Sequence, residues 1–301
     1  MLDFIKFIKK SNLGDIKENV SFKDLTTYRT GGVARVVFFP SDVEALVDVL
    51  KYLKNKKIDY KILGNGSNIL ASDDLYNGIV IKLTSLKEMS IDENLVLNVS
   101  AGYNFMSLAN TLSKQGYTGL EFACGIPGTV GGAIYMNAGA YLKSISDLVI
   151  SIDILDEDFN FKTITKEELK ATYRSTIFSE KNYICLSVKL QLKKGNKEEI
   201  LEILEERKIR RNTTQPLEYP SAGSVFRNPE GDYAGRLIEE LGFKGKTIGG
   251  AQISEKHANF IINKANASAK EIKELMDIAS NGVKEKFNVT LKREQELFNW
   301  K

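Results

Sequence analysis

One segment of the sequence, residues 125–140, restricts the fold more than any other. It reads Gly-Ile-Pro-Gly-Thr-Val-Gly-Gly-Ala-Ile-Tyr-Met-Asn-Ala-Gly-Ala, so glycine and alanine are interspersed with apolar residues without forming a repeat. Glycine has no Cβ and allows another group to approach the backbone closely. Because a glycine-rich surface turn would not carry these apolar residues, we expect a buried, closely packed backbone that lies against something flat or anionic.

A second glycine-containing loop, residues 64–68, follows a predicted strand over residues 60–63. It reads Gly-Asn-Gly-Ser-Asn, and its backbone amides, with the hydroxyl of Ser67 and the amide of Asn68, can surround an anionic diphosphate. The loop is neither a P-loop, because it lacks Gly-Lys-Ser/Thr, nor a dinucleotide-binding fingerprint, because residue 69 is isoleucine. Considered alone, it is also typical of an ordinary tight turn.

The composition is that of an ordinary globular protein. The 301 residues are 43% hydrophobic and 27% charged, which excludes a disordered or coiled-coil chain and predicts two or three domains. The 42 basic and 39 acidic residues leave a formal net charge of +3, too small for a nucleic-acid partner to be expected. No apolar run approaches the roughly 18 to 20 residues that cross a bilayer, and residues 1–10 predict a short amphipathic helix rather than a secretory signal. We therefore expect a cytoplasmic protein that does not insert into a membrane.

A single histidine, His257, limits the chemistry that the chain can perform. A Ser-His-Asp triad or a multi-histidine metal site would have one candidate at most. Cys124 and Cys185 lie far apart in apolar surroundings, so neither a disulfide nor a metal site is expected. A serine hydrolase built on Ser224 would lack the Gly-x-Ser-x-Gly elbow and would depend on His257 alone.

Hydrophobic periodicity predicts a mixed α+β chain. Helices are predicted after a capping box at residues 41–44, and over 105–115, 198–211, 232–241 and 268–287, and a second capping box occurs at residues 165–168. Strands are predicted over residues 60–63, 79–81, 95–99, 148–155, 184–192 and 260–262, and for the short stretch after Val289 and Leu291 that contains Glu294. Three prolines between residues 216 and 229 indicate a linker or a structured functional loop. We predict three domains, residues 1–88, 89–211 and 212–301.

The densest basic cluster, Arg207, Lys208, Arg210 and Arg211, ends a predicted helix whose first half is rich in glutamate. Acidic residues at the start and basic residues at the end suit the helix dipole, which favours an ordinary solvated helix. A phosphate-binding patch is the alternative.

Several segments together resemble one family. The two glycine segments and Thr-Tyr-Arg-Thr-Gly-Gly-Val-Ala at residues 27–34 are similar to the FAD-binding part of the UDP-N-acetylenolpyruvoylglucosamine reductases, flavoenzymes of bacterial peptidoglycan precursor synthesis. The resemblance continues through Tyr-Arg-Ser-Thr-Ile-Phe at 173–178, Gln-Pro at 215–216, Pro-Ser-Ala-Gly-Ser-Val-Phe-Arg-Asn-Pro at 220–229, Ser-Glu-Lys-His-Ala-Asn-Phe at 254–260 and Leu-Lys-Arg-Glu at 291–294. These motifs fall in the family's order from about residue 20 to about residue 295.

The resemblance implies a fold and a cofactor. The fold is the FAD-binding fold of the vanillyl-alcohol-oxidase (PCMH) type in two subdomains, followed by a C-terminal α+β substrate-binding domain. Some relatives of that fold attach FAD through histidine, and because the only histidine lies in the C-terminal domain, noncovalent FAD is implied. The implied FAD-binding residues are Gly64, Asn65, Gly66, Ser67, Asn68, Gly125, Pro127, Gly128, Thr129, Gly131, Gly132, Asn137, Ala138 and Gly139.

The resemblance also implies a reaction, the NADPH-dependent reduction of UDP-N-acetylglucosamine enolpyruvate to UDP-N-acetylmuramate. Hydride would reach carbon 3 of the enolpyruvyl group and leave an enolate at carbon 2. In that assignment Arg174 binds the substrate carboxylate and stabilises the enolate, and Ser224 donates a proton to carbon 2. Glu294 would be the carboxylate partner of Arg174 or relay a proton. Asn228 and His257, with Asn259, are further candidates for the substrate cleft.

Without the resemblance, each of these residues has an ordinary interpretation. Arg174 would be a surface arginine, Ser224 a loop serine and His257 a structural histidine. Glu294 would be a solvated glutamate at a strand end, where Glu296 could be mistaken for it. The segment between Arg174 and the strand at residue 183 is too short for the tyrosine-bearing loop of one subclass, so the chain resembles the shorter subclass.

Two other functions remain as alternatives. An FAD-dependent oxidase of the same cofactor fold would act on a small hydroxylated substrate, but it would lack the loop at residues 222–229. A noncatalytic nucleotide-binding protein could keep the glycine loops, but it would have no need of a proton donor. No obligatory protein partner is expected for the reductase.

Overall fold

A computed structural model describes residues 1–300 of the chain. The helices are α1 (Leu2–Ser11), α2 (Phe22–Leu25), α3 (Val43–Lys56), α4 (Phe105–Lys114), α5 (Val130–Tyr135), α6 (Lys197–Thr214), α7 (Ala234–Glu240) and α8 (Ala269–Phe287). The strands are β1 (Gly14–Ser21), β2 (Val33–Pro40), β3 (Tyr60–Ile62), β4 (Ile69–Ala71), β5 (Tyr76–Ile81), β6 (Met89–Ile91), β7 (Val96–Ser100), β8 (Tyr117–Thr118), β9 (Gly139–Ala140), β10 (Lys143–Ser144), β11 (Val149–Leu155), β12 (Phe161–Thr165), β13 (Ile184–Gln191), β14 (Lys193–Lys194), β15 (Thr247–Ile248), β16 (Ala251–Ile253), β17 (Ile261–Asn263) and β18 (Glu296–Phe298). The predicted α+β class is confirmed.

The chain divides into two compact units. The first contains residues 1–18, 36–64 and 78–208, and the second contains residues 19–35, 65–77 and the chain from residue 209 onwards. The three-domain division predicted from the sequence stays a prediction. Within residues 1–300, no helix has both the length and the apolar character needed to cross a membrane.

The first unit is built on a five-stranded antiparallel sheet. Its strand order is β12-β11-β13-β7-β6, and the three central strands are those whose alternating pattern predicted them. Apolar side chains of one face are fully or almost fully buried in the core, namely Leu97, Val99, Ile152, Ile154, Val188 and Leu190. The predicted amphipathic helix at the N-terminus is confirmed as α1, which buries Phe4, Ile5 and Ile8. A four-stranded sheet with the order β1-β2-β5-β3 also occurs, in which β3 runs parallel to β5.

Of the two predicted capping boxes, the one at residues 165–168 is confirmed and the one at residues 41–44 is replaced by a single cap. At the start of α3 the capping residue is Asp42, whose side chain accepts a hydrogen bond from the amide of Ala45 at 2.7 Å. At residues 165–168 both hydrogen bonds of the box form, since Glu168 N donates to Thr165 Oγ1 at 3.3 Å and Thr165 N donates to the Glu168 carboxylate at 2.9 Å. No helix follows, because Lys170 has a φ of +48° and ends the structure after one turn.

The second unit packs helices against a small sheet. The antiparallel sheet has the order β15-β16-β17, and α7 and α8 contribute buried side chains such as Leu237, Ile238, Ile272, Leu275 and Met276 to its core. The helix predicted over residues 268–287 is confirmed, with Ser268 and Glu271 forming a complete capping box. The strand predicted for the short stretch after Val289 and Leu291 that contains Glu294 begins later than expected. Residues 288–292 are irregular after the left-handed Asn288, whose φ is +57°, and the strand starts only at Glu296, where it pairs in parallel with β4.

Candidate functional site

In the first unit, Gly64 is held between two side chains. A Cβ added to Gly64 would lie 2.6 Å from Thr129 Oγ1, so only glycine fits at this position. Lys82 follows β5, and its Nζ donates a hydrogen bond to the carbonyl oxygen of Gly64 at 2.7 Å. Burial lowers the pKa of Lys82, and among the described residues no carboxylate is paired with it. A partly buried lysine without a counter-ion, next to the predicted diphosphate loop, fits an anionic cofactor.

Sequence reasoning missed Lys82. Its only local signal is a lysine that directly follows the apolar run Ile79-Val80-Ile81, and such a lysine is usually a solvated strand end. Its contact with Gly64 joins residues that lie 18 positions apart, so the pattern around either residue does not predict it.

The glycine-rich segment packs against the protein's own backbone. Thr129 caps α5, and its Oγ1 accepts a hydrogen bond from Gly132 N at 3.3 Å. The amides of Val130 and Gly131 donate to the carbonyl oxygens of Tyr103 and Ala101, at 2.9 and 2.8 Å. These three amides of the first turn therefore already have protein acceptors.

Two of the segment's glycines are explained by close packing. A Cβ on Gly131 would lie 2.9 Å from the Cβ of Ala101, and a Cβ on Gly139 would lie 2.4 Å from the carbonyl oxygen of Lys143. Gly132 differs, because a Cβ there would meet only Thr129 Oγ1, at 3.4 Å. Gly128 adopts a φ of +147°, and its carbonyl oxygen accepts from Phe105 N. Gly125 and Pro127 lie in the irregular connection that precedes Thr129.

Arg174 sits in a strained turn. Residues 172–175 form a tight turn in which Thr172 N donates to Ser175 O at 2.9 Å, and Arg174 has a φ of +57°. Positive φ at the second central residue of a turn favours glycine or asparagine, so an arginine there is strained. The guanidinium Nη2 donates to Gly139 O at 3.0 Å, and the guanidinium carbon lies 5.2 Å from the ring centre of Tyr173.

Two side-chain hydrogen bonds fasten this turn to the glycine-rich segment. Asn137 Nδ2 donates to the carbonyl oxygen of Thr172 at 2.9 Å, and Thr176 Oγ1 donates to the carbonyl oxygen of Tyr135 at 3.1 Å. Asn137 is buried, and its Oδ1 accepts from Ser146 N at 3.4 Å. Ala138 N donates a hydrogen bond to Ala133 O at 2.8 Å, and Ala138 O accepts one from Ile145 N at 3.0 Å. The structure thus joins Asn137 and Gly139 to the turn that carries Arg174.

In the second unit, residues 65–68 are tied to two other predicted segments. Gly66 has a φ of +62°, and a Cβ there would lie 2.2 Å from Leu25 O. The carbonyl oxygen of Gly66 accepts from Thr27 N at 3.1 Å. Asn68 Nδ2 donates to the carbonyl oxygen of Glu294 at 3.0 Å, and Glu296 N donates to Asn68 O at 3.0 Å. Asn65 and Ser67 lie in the same loop.

The segments of Ser224 and Glu294 lie side by side. Glu294 N donates to the carbonyl oxygen of Val225 at 2.8 Å, and Phe226 forms an antiparallel bridge with Arg293. Ser224 itself follows Gly223, whose φ is +73°. The structure therefore brings the predicted proton donor and the predicted carboxylate onto neighbouring stretches of one unit.

The three remaining candidates in this unit have structural contacts. Asn228 Oδ1 accepts from Ala234 N at 3.2 Å, at the first residue of α7. Asn259 holds Phe226 by two hydrogen bonds, accepting from its amide at 3.0 Å and donating to its carbonyl oxygen at 2.8 Å. His257 Nδ1 accepts from Asn259 N at 3.2 Å, and the pKa of His257 is lowered first by burial and then by the positive charge of Lys244.

The described part of the chain contains no cluster of side chains that could bind a metal ion. No group of three His, Cys, Asp or Glu side chains among residues 1–300 could hold a metal ion. Both cysteines are free thiols, and burial raises the pKa of Cys185 far above its usual range.

The fold and the two glycine segments define a flavoprotein. Residues 34–161 match the FAD binding domain family, which supports the predicted FAD-binding fold. The berberine bridge enzyme of Eschscholzia californica shares this fold, with a TM-score of 0.50 at 14% identity over 64% of this chain and 44% of that one.

The comparisons also assign the family. Residues 215–298 match the C-terminal domain of UDP-N-acetylenolpyruvoylglucosamine reductase. The chain is 42% identical to the UDP-N-acetylenolpyruvoylglucosamine reductase of Anoxybacillus flavithermus over 96% of both chains, and 42% identical to that of Caldanaerobacter subterraneus over 99% of this chain and 97% of the relative. The crystal structure of the reductase from Thermus caldophilus superposes with a TM-score of 0.80 at 35% identity, covering 94% of this chain and 100% of that one. This chain belongs to the UDP-N-acetylenolpyruvoylglucosamine reductase family.

Proposed function

We propose that the protein catalyses the NADPH-dependent reduction of UDP-N-acetylglucosamine enolpyruvate to UDP-N-acetylmuramate, a step of peptidoglycan precursor synthesis. The observation that carries the proposal is 42% identity to a reductase of that name over 96% of both chains. The similarity includes the C-terminal domain at residues 215–298, which an oxidase sharing only the cofactor fold would not need. FAD, bound without a covalent link, would take hydride from NADPH and deliver it to carbon 3 of the enolpyruvyl group.

The residues assigned to FAD have environments that suit the role. Gly64 and Gly66 permit backbone positions that a side chain would block, and Ser67, Asn65 and Asn68 supply polar groups within the same loop. Lys82 adds a positive charge beside Gly64. An anionic diphosphate next to this ammonium group would offset the cost of its burial. In the glycine-rich segment, Gly132 has room beside it, whereas the amides of Val130, Gly131 and Gly132 are used within the protein.

Arg174 is assigned to the substrate carboxylate. A guanidinium stays charged and can donate two parallel hydrogen bonds to a carboxylate, whose negative charge rises when the enolate forms at carbon 2. The strained turn supports this role, because a φ of +57° at an arginine is retained only where surrounding contacts hold it. Asn137 and Thr176 supply those contacts, and we therefore assign Asn137 to the positioning of Arg174.

Ser224 is assigned to the protonation of carbon 2. A serine hydroxyl is a weak acid, so it can serve only if the carbanion is strongly basic and the hydroxyl is held against it. Two hydrogen bonds of the next residue support such a fixed position, as Val225 N donates to Asn259 O at 2.9 Å and Val225 O accepts from Glu294 N at 2.8 Å. Glu294 is assigned as the carboxylate that replenishes the proton.

The remaining assignments concern substrate and location. Asn228 and His257 stay candidates for substrate binding, although the side chain of each already accepts one hydrogen bond within the protein. Nucleotide sugars and NADPH are cytoplasmic metabolites, so we propose that the enzyme acts in the cytoplasm. The reaction as assigned requires no protein partner.

Flavin absorbance tests the proposal directly. The purified protein should be yellow, should bleach when NADPH is added without oxygen, and should regain its absorbance when UDP-N-acetylglucosamine enolpyruvate is added. Formation of UDP-N-acetylmuramate, followed by mass spectrometry, completes the test. Flavin that bleaches with a small hydroxylated substrate, and is reoxidised by oxygen but not by the enolpyruvyl compound, would support the oxidase instead.

A further inference from the structure

A buried glutamine holds the backbone that leads into Ser224. Gln295 is 3% exposed, and its Nε2 donates to the carbonyl oxygens of Ala222 and Gly223, both at 3.0 Å. Its Oε1 accepts a hydrogen bond from the hydroxyl of Tyr28 at 2.8 Å. Tyr28 has no exposed surface. All three hydrogen-bonding groups of the glutamine amide are therefore satisfied within one unit.

The chemistry of the partners fixes the orientation of this amide. The carbonyl oxygens of Ala222 and Gly223 can only accept hydrogen bonds, so the amide nitrogen must face them. The amide oxygen then faces Tyr28, which must donate. Burial raises the pKa of the Tyr28 hydroxyl well above its usual range, so the hydroxyl stays protonated at neutral pH and can donate a hydrogen bond.

Two other features hold the backbone before Ser224, since Ala222 is buried in the core and Pro220 O accepts a hydrogen bond from Asn263 N at 2.9 Å. Gly223 itself has a φ of +73°, and a Cβ built on it would meet nothing within 4 Å, so the hydrogen bond from Gln295 is the contact that holds its carbonyl group. On the other side of Ser224, Asn259 holds the amide and the carbonyl oxygen of Phe226. Ser224 thus lies between two stretches of backbone, each bound by one buried side-chain amide.

We propose that Tyr28 and Gln295 form a positioning pair that holds the Ala222–Gly223 backbone and thereby keeps Ser224 Oγ in place for proton donation. Neither residue is assigned a contact with substrate or cofactor. The inference rests on the proposed function, because Ser224 is the proton donor only in that reaction. It adds two residues that determine how precisely Ser224 Oγ is placed. Small displacements of a reacting group reduce catalytic rates strongly.

The pair can be tested by removing its hydrogen bonds at nearly constant volume. Tyr28→Phe removes one hydroxyl, and Gln295→Met removes the amide. Gln252→Met is a matched control, since Gln252 is 7% exposed in the same unit, donates from Nε2 to Gly245 O and Thr247 Oγ1, and accepts from Lys264. Gln252 has no contact with the Ser224 loop among these hydrogen bonds. The two half reactions are measured separately, as flavin bleaching by NADPH and as UDP-N-acetylmuramate formation by the reduced enzyme.

We expect Tyr28→Phe and Gln295→Met to slow product formation by about tenfold or more, with an increased solvent deuterium isotope effect, because proton donation becomes slower. Bleaching by NADPH should stay within about twofold of wild type. The double variant should be no slower than Gln295→Met, since the two residues act as one unit. Gln252→Met should lower the melting temperature to a similar extent while leaving both rates and the isotope effect unchanged.

Two results would overturn the inference while the proposed function stands. One is a wild-type rate and isotope effect in both pair variants, and the other is an equal slowing in Gln252→Met, which would mark a general effect of lost stability. A wild-type protein that forms no UDP-N-acetylmuramate would instead refute the proposed function, and the assignment of the pair with it. Hydrogen exchange at the Val225 amide adds a direct readout, because it should become faster in the pair variants and not in the control.

Discussion

Arg174 donates a hydrogen bond to the carbonyl oxygen of Gly139, and the same guanidinium lies over the ring of Tyr173. Gly139 belongs to the glycine-rich segment that the family resemblance assigned to the cofactor. The segment that resembles a flavin-binding backbone is therefore also the support of the residue assigned to the substrate carboxylate. A change in this segment can consequently affect catalysis without any change in cofactor affinity, and the two effects can be measured separately.

Replacement of Ser224 should separate the two half reactions. In Ser224→Ala, flavin bleaching by NADPH should stay near the wild-type rate, whereas formation of UDP-N-acetylmuramate should fall by about 10² to 10⁴, the usual contribution of a general acid. Stopped-flow absorbance and quenched-flow product analysis measure the two rates. Ser221→Ala, in the same loop, serves as the control. Equal losses in both half reactions would remove Ser224 from the role of proton donor.

Replacement of Asn137 should distinguish a positioning role from cofactor binding. Asn137→Ala removes the hydrogen bond to Thr172 O, so the turn that carries Arg174 becomes less restrained. We expect product formation to slow by about tenfold while the dissociation constant of FAD stays within about twofold. Titration of the apoprotein with FAD measures the latter. Asn104→Ala, which removes the cap of α4 in the same unit, controls for lost stability. Weaker FAD binding by Asn137→Ala would instead support a role of Asn137 in binding the cofactor.

Replacement of Lys82 should weaken FAD binding. Lys82→Met removes the charge beside Gly64, and we expect the dissociation constant of FAD to rise by about tenfold, as for the loss of one charge-assisted hydrogen bond. Lys82→Arg keeps a charge and should retain much of the affinity. Lys189→Met removes an exposed lysine from a strand of the same unit and should change nothing. Flavin fluorescence during titration gives each dissociation constant. Equal FAD affinities for the wild type and the three variants would exclude Lys82 from the cofactor site.

The single histidine should make stability depend on pH in a defined direction. Burial, followed by the charge of Lys244, lowers the pKa of His257 below its usual 6.5. At pH values between the lowered pKa of folded His257 and 6.5, the unfolded chain therefore binds more protons than the folded protein. The stabilising contribution of His257 is thus present above about pH 6.5 and lost as the pH falls through the folded value.

Urea unfolding at several pH values tests this dependence. The wild type should lose more unfolding free energy than His257→Gln when the pH is lowered from about 7.5 to about 5, because only the wild type has this group to protonate. Parallel losses in the two proteins would mean that His257 titrates alike in the folded and unfolded states.

Local sequence patterns predicted many elements of the fold. The alternating residues of β7, β11 and β13, and the helix α8, were predicted correctly because each pattern reports burial within a few residues. The capping box at residues 165–168 was also predicted correctly, although no helix follows it because the chain turns at Lys170. The strand predicted around Glu294 begins later than expected, because the chain leaves α8 through the left-handed Asn288 and pairs with β4 only from Glu296 onwards.

The amino-acid sequence by itself determined the α+β class, the family and the identity of the candidate groups Arg174, Ser224 and Glu294. Only the tertiary structure decided what supports them. Asn137 reaches a carbonyl oxygen 35 positions away, and Tyr28 reaches Gln295 across 267 positions. Hydrogen bonds over such separations depend on the path of the whole chain rather than on neighbouring residues. The periodicity of a segment therefore reports which side chains are buried, and it cannot report which distant partners they meet.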